Sequence, residues 1–207
     1  MAGVPIISGF YFITDRKLTK NGIYQDAQDA IRGGARIIQL RDKQAGKKEL
    51  LESALKLKQI TGKSGALLIV NDSIELALES CADGAHIGQQ DELPRDARQR
   101  LKGKILGISV STRQEAKEAE AKGADYLGVG PIFATSTKLD AAKPIGIEGL
   151  REIRKSTSLP IIAIGGISME NARSVIDAGA DGICAMSAAA GDGVENKARR
   201  FSGLFNK

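Results

Sequence analysis

Tryptophan is absent, histidine occurs once, and aromatic residues make up only 4% of the 207-residue chain. That scarcity removes the flat platforms on which single-stranded bases stack. The lone imidazole, His86, leaves no Ser-His-Asp set to assemble. The two cysteines, Cys81 and Cys184, lie far apart with no C-x-x-C partner, which excludes a disulfide framework and a zinc cluster and predicts a reducing, cytoplasmic setting. No apolar run approaches the roughly 20 residues of a membrane span, and MAGVPIISGFYFITDR has no charged segment ahead of a long apolar stretch, so neither a membrane partner nor export is expected. Long basic runs are missing too. Thirty Lys and Arg against 25 Asp and Glu give a net charge of +5, but the signs are interleaved, as in KEAEAK at 117–122, so nucleic acid is not expected as a partner. The modest excess suits small phosphorylated ligands met by a few well-placed donors.

What is present is globular: 42% hydrophobic and 27% charged residues. Short runs of Ile, Val and Leu alternate with longer helical patterns, which predicts repeated βα units. The candidate strands are FYFIT at 10–14, RIIQL at 36–40, ALLIV at 66–70, AHIG at 85–88, ILGIS at 105–109, YLGVG at 126–130, PIIAI at 160–164 and GICAM at 182–186. The clearest helical stretches are KKELLESALKLKQI, STRQEAKEAEAKG, IEGLREIRKS and SMENARSVIDAG, with apolar residues three or four apart. Gly-Ala pairs at 34–35, 84–85, 123–124 and 179–180 mark an internal repeat, each glycine suited to the left-handed turn that closes a helix. No linker or composition break divides the chain, and no glycine-rich fingerprint follows the first strand. The reading is one α/β domain over 1–207, a (β/α)8 TIM barrel in preference to a doubly wound open sheet. Self-association is left open.

In a barrel the chemistry gathers where strands end. Those ends carry Gln39, Arg41 and Lys43; Asn71 and Asp72; Gln89, Gln90 and Asp91; Ser109; Thr135, Thr137 and Lys138; Gly165 and Gly166; and Ser187. Any one of them has an ordinary explanation as a turn former, a solvated charge or a helix cap, Asp72 and Ser73 being cap candidates for SIELALES. Their convergence from different units is the informative feature. Alternation in QLRDK puts Gln39, Arg41 and Lys43 on one side of an extended segment, facing either an anion or neighbouring acids. Asp72 and Asp91 follow neighbouring strands and are placed to share a hard cation such as Mg²⁺ with substrate oxygens. Gly165-Gly166 and Ser187 occupy the place where barrels cradle a phosphate on backbone N–H groups, which predicts a second anionic site. The long connection from Pro131 to Gly146, with its TSTK, reads as a binding loop or lid. His86 reads as packing or hydrogen-bonded structure in preference to a catalyst, and Cys184 as buried filler.

The motifs YFITDR, QLRDK, VND, HIGQQD, LGISVST, GADYLGVGPIFATSTK, AIGGI and GADGICAMSA, in this order through nearly the whole chain, resemble the thiamine-phosphate synthase family. The resemblance implies an enzyme that joins 4-amino-5-hydroxymethyl-2-methylpyrimidine diphosphate to a thiazole phosphate with Mg²⁺, releasing pyrophosphate. It implies that Gln39, Arg41, Lys43, Asn71 and Lys138 contact the pyrimidine diphosphate, that Ser109 lines the same pocket, and that Asp72 and Asp91 ligate magnesium. Thr135, Thr137, Gly166, Met186 and Ser187 correspond to the thiazole phosphate contacts, and Arg41, Lys43, Ser109 and Lys138 to the catalytic set. The rivals are a thiazole tautomerase, which uses a histidine where this chain reads SVSTRQ, a non-catalytic barrel that binds thiamine phosphate, and a phosphosugar isomerase, which would share the glycine phosphate loop but not need QLRDK, Asp72 and Asp91.

Overall fold

Each aliphatic run becomes a short parallel strand, and each amphipathic stretch becomes the helix that returns the chain to the next strand. The computed structural model describes residues 7–89, 91–135 and 143–206. In order they form β1 (Gly9–Ile13), α1 (Ile23–Arg32), β2 (Ile37–Leu40), α2 (Lys47–Ser64), β3 (Leu67–Asn71), α3 (Ile74–Glu79), β4 (Gly84–Ile87), α4 (Pro94–Arg100) and β5 (Ile105–Val110). Then follow α5 (Arg113–Ala121), β6 (Tyr126–Val129), α6 (Gly146–Arg154), β7 (Ile161–Ile164), α7 (Ala172–Asp177), β8 (Gly182–Cys184), α8 (Met186–Ala189) and α9 (Val194–Gly203). The strands pair in sequence order, and β8 closes on β1 through Gly9 opposite Gly182, so the sheet is a complete (β/α)8 barrel. Among the described residues no helix is long and apolar enough to cross a membrane.

The period of two along each strand sorts side chains into two cores. Outward residues such as Ile38, Leu68, Val70, Leu106, Leu127 and Ile183 pack under the helices, which meet them with Ala27, Ala54, Leu57, Ala116 and Val175. Inward residues Tyr11, Ile13, Ile37, Ile69, Ile105, Tyr126, Ile162 and Cys184 fill the barrel lumen. The eighth strand is shorter than GICAM suggests: it stops at Cys184, and Met186 opens a helical turn.

The internal repeat is real but its second mark is misplaced by sequence reading. Gly34, Gly123 and Gly179 have φ of 97°, 86° and 105°. Each is followed by an alanine whose N–H reaches back five residues, Ala35 to Ala30 O at 2.9 Å, Ala124 to Ala119 O at 3.0 Å and Ala180 to Val175 O at 3.4 Å. This is the bonding of a Schellman helix end. The equivalent bond after α3 is Ala82 to Ala77 O at 3.0 Å, so the residue in the glycine position there is Cys81, left-handed at φ 54°. Gly84, the glycine of the Gly84-Ala85 pair, instead begins β4, where a Cβ would lie 2.1 Å from the Ile105 carbonyl oxygen.

An aspartate follows each of the last three marks and works the same way every time. Asp83, Asp125 and Asp181 accept a backbone N–H from the first or second residue of the preceding strand, from Leu68 at 2.7 Å, Leu106 at 2.7 Å and Ile161 at 2.8 Å. Each also pairs with a cation from the helix before, Lys58 at 2.7 Å, Arg98 at 2.8 Å and Arg154 at 3.0 Å. These clamps tie helix to strand at the N-terminal end of the barrel and leave the opposite end to the site.

Candidate active site

At the C-terminal ends of the strands lies a cavity of about 520 Å³. The described residues singled out by sequence all line it: Gln39, Arg41 and Lys43 from β2 and the loop after it, Asn71 and Asp72 from β3, Asp91 from the β4–α4 loop, and Ser109 from β5. Thr135, Gly166, Met186 and Ser187 line it from the β6, β7 and β8 side. Thr137 and Lys138, together with Gln90, lie outside the described residues.

The cation-bearing wall is set by the first two strands. Thr14 on the loop leaving β1 takes the Arg41 N–H at 3.1 Å, and Arg16 binds the Asp42 carboxylate at 2.6 Å. The YFITDR segment therefore holds QLRDK from the side, with Arg41 Nη1 3.9 Å from the Asp15 carboxylate. Both readings of that strand end apply, since Asp15 faces Arg41 while Arg41 and Lys43 still line the cavity.

Asp72 is left-handed, φ 62°, an uncommon conformation for a residue other than glycine and one that aspartate tolerates better than most. Its N–H bonds the His86 carbonyl at 2.8 Å, which turns the chain sharply out of β3 and swings the carboxyl into the mouth. The cap of α3 is then Ser73, whose hydroxyl accepts Leu76 N–H at 3.2 Å, so Asp72 is released from that duty. Burial, and next its hydrogen bond and repulsion with Asp91, push the Asp72 carboxyl up to about 6, while Lys43 and Arg41 pull the other way. Asp91 also accepts Gly88 N–H at 2.7 Å. A divalent cation between the two carboxyls would relieve the repulsion that raises Asp72. No third His, Cys, Asp or Glu joins them among the described residues. An all-oxygen pair at a mouth also lined by Arg41 and Lys43 fits Mg²⁺, which takes one or two carboxylates and completes its shell with phosphate oxygens and water.

The opposite wall is a backbone wall. Gly165 and Gly166 have φ of 101° and 63°, and a Cβ on either would strike Pro131 at 2.6 Å or the Ala134 carbonyl at 2.5 Å. Only glycine permits this close approach, and Asn171 Nδ2 fixes the turn by donating to Gly166 O at 2.9 Å. In the SVSTRQ stretch Thr112 caps α5 in a capping box with Glu115, and Ser111 bonds the same carboxylate. The Cys184 thiol is pushed up to about 12 by burial and takes no part as a thiolate.

Sequence reading missed the floor of the cavity. Tyr11, His86 and Tyr126 reach it from inside the barrel. His86 Nε2 lies 2.8 Å from Ser109 Oγ, its Nδ1 lies 2.9 Å from Tyr126 Oη, and Tyr126 Oη lies 2.9 Å from Tyr11 Oη. Gln39 Nε2 donates to Tyr11 Oη at 2.8 Å. The available signal was parity: these residues share the inward register of their strands with Ile13, Gly107 and Gly128.

The family described as Thiamine monophosphate synthase matches residues 10–189. The chain is 47% identical over 198 residues to the thiamine-phosphate synthase of Chloroflexus aurantiacus, covering 95% of this chain and 92% of that one. It is 44% identical over 201 residues to the thiamine-phosphate synthase of Methanosarcina barkeri, with 96% and 90% covered. Of solved structures, thiamine phosphate pyrophosphorylase from Pyrococcus furiosus aligns over 95% of both chains with a TM-score of 0.88 and 39% identity. A structure titled Native KDPGal shares the fold alone, at a TM-score of 0.73 and 17% identity.

Proposed function

The chain belongs to the thiamine monophosphate synthase family, and from that premise we propose how its residues divide the work. It is a transferase that joins the pyrimidine and thiazole halves of thiamine phosphate in thiamine biosynthesis. In our reading the pyrimidine diphosphate lies along Gln39, Arg41, Lys43 and Asn71 with Ser109 beneath it, and the thiazole phosphate lies against Thr135, Gly166, Met186 and Ser187. Thr137 and Lys138 are assigned to the same two ligands from their place in the TSTK motif. Asp72 and Asp91 would hold Mg²⁺, which when bound would supply positive charge to the diphosphate. The reaction takes place in the cytoplasm.

The chemistry asked of the chain is electrostatic. The C–O bond to the diphosphate breaks with its electron pair leaving on oxygen, and the electron-rich aminopyrimidine carries the positive methylene that remains. Arg41, held beside the Asp15 carboxylate, and Lys43 at the same mouth supply the positive charge that stabilises the departing anion. The thiazole nitrogen attacks the methylene with its own lone pair and has no proton to lose. No general base is needed, which agrees with a cavity rich in cations and carboxylates. The observation that carries this reading is that Arg41, Lys43, Asp72 and Asp91 line one mouth opposite the Gly165-Gly166 turn. The test is release of pyrophosphate when both substrates and Mg²⁺ are added. Folded protein that forms no thiamine phosphate would overturn it.

A further inference from the structure

The lumen beneath the cavity is aliphatic, lined by Ile13, Ile69 and Ile162, yet one file of polar groups crosses it: Gln39, Tyr11, Tyr126, His86, Ser109. Every contact in the file is 2.8 or 2.9 Å. Buried polar groups must find partners, and in a low-dielectric interior a fully connected file adopts one consistent direction. The direction follows from counting protons. Gln39 Nε2 can only donate, so Tyr11 Oη accepts from it and must pass its single proton to Tyr126 Oη. Tyr126 then gives its own proton to His86 Nδ1. An imidazole that accepts at Nδ1 carries its proton on Nε2, and that nitrogen faces Ser109 Oγ.

We propose that His86 is a positioning residue: held by Tyr126 in its Nε2–H tautomer, it donates to Ser109 and so aims the serine proton into the cavity, at an acceptor atom of the pyrimidine diphosphate. The identity of that acceptor's owner rests on the function proposed above. The direction of the file does not.

Two further observations fit. Burial pushes both phenols above their ordinary range, which keeps them neutral donors. Room for the two rings is built in. A Cβ on Gly107 would lie 2.2 Å from Tyr126 Cζ, and one on Gly128 would lie 2.7 Å from His86 Cε1, so the strands flanking the file carry glycine where the rings pass.

Because the chain has one histidine, ¹⁵N-histidine labelling of the whole protein gives a single imidazole to follow by long-range ¹H–¹⁵N correlation. The expected spectrum shows a protonated Nε2 and a bare Nδ1. Gln39→Glu replaces the donor with an acceptor, so the file should reverse and the proton move to Nδ1. A wild-type Nδ1–H tautomer overturns the proposal, as does a Gln39→Glu spectrum that does not change. If Gln39→Glu fails to fold, the wild-type tautomer alone decides the direction. This readout uses the free protein, so it stands whether or not product forms.

The kinetic arm separates aiming from packing. His86→Asn is too short to reach Ser109 and should raise KM for the pyrimidine diphosphate about fivefold, the net loss of one hydrogen bond, with KM for the thiazole phosphate unmoved. His86→Gln, which restores a donor near the Nε2 position, should recover most of that loss. Equal rises in both KM values, with no recovery by glutamine, would reduce His86 to a packing residue.

Discussion

The clamp at Asp125 allows a stability effect to be worked out and separated from function. Its carboxylate holds Leu106 N–H at 2.7 Å and Arg98 Nη1 at 2.8 Å. Asp125→Ala leaves the N–H at the start of β5 with no acceptor, beside a Leu106 side chain that is 0% exposed. An orphaned buried N–H costs about 1–3 kcal/mol. The ion pair, with side chains 26% and 29% exposed, adds about 0–1 kcal/mol, and Arg98 keeps the Lys104 carbonyl at 2.6 Å. A loss of about 1–4 kcal/mol lowers Tm by roughly 2–16 °C in a chain of this size. Asp125→Asn keeps an oxygen for Leu106 but loses the charge, and should lose only about 1 kcal/mol. Thermal melts followed by circular dichroism distinguish the two. Turnover at 25 °C should be unchanged in both variants, because the clamp sits at the barrel end away from the cavity. Equal melts for Ala and Asn would show that the strand-start hydrogen bond contributes nothing. A fall in turnover by folded variants would show that the two ends are not independent.

Cys81→Gly should raise stability by about 0.5–1 kcal/mol, since relief of a left-handed conformation at φ 54° outweighs the added freedom of the unfolded chain; a lower Tm would refute the assigned strain. For magnesium, the Asp72 carboxyl raised to about 6 means that the ion must displace a proton below that pH. Apparent Mg²⁺ affinity measured by calorimetry should therefore fall by up to about tenfold per unit as pH drops below 6, and a flat profile would remove Asp72 as a ligand. In the metal-free protein the same shift favours the protonated carboxyl in the fold, so its stabilising contribution is present at acid pH and is lost as pH rises through about 6.

The architecture was legible because each βα unit repeats one physical statement: a short β-branched run buried on both faces, then an amphipathic helix. Strand ends shifted by a residue or two, and Met186 was read as strand because an apolar residue after GICA carries no mark of a helical turn. Cys81 was invisible as the missing glycine, since nothing in its chemistry announces a positive φ; only the bond from Ala82 to Ala77 reveals it. The rim of the cavity was readable because polar residues in period two at the end of an aliphatic strand have few other uses. The floor was not, because Tyr11, His86 and Tyr126 stand in apolar strands where rings ordinarily mean core. Their role depends on cross-strand neighbours, and only pairing in register, such as His86 opposite Gly107 and Gly107 opposite Tyr126, brings them together.

Cys81 has a practical side as well. It is exposed, while Cys184 is buried with its thiol pushed up to about 12, so an alkylating reagent at neutral pH meets a single addressable sulfur. That sulfur lies on the turn into β4, at the closed base. Tethering the protein to a bead or a sensor chip through it would present every molecule with its mouth toward the bulk solution, a uniform orientation obtained without engineering a tag.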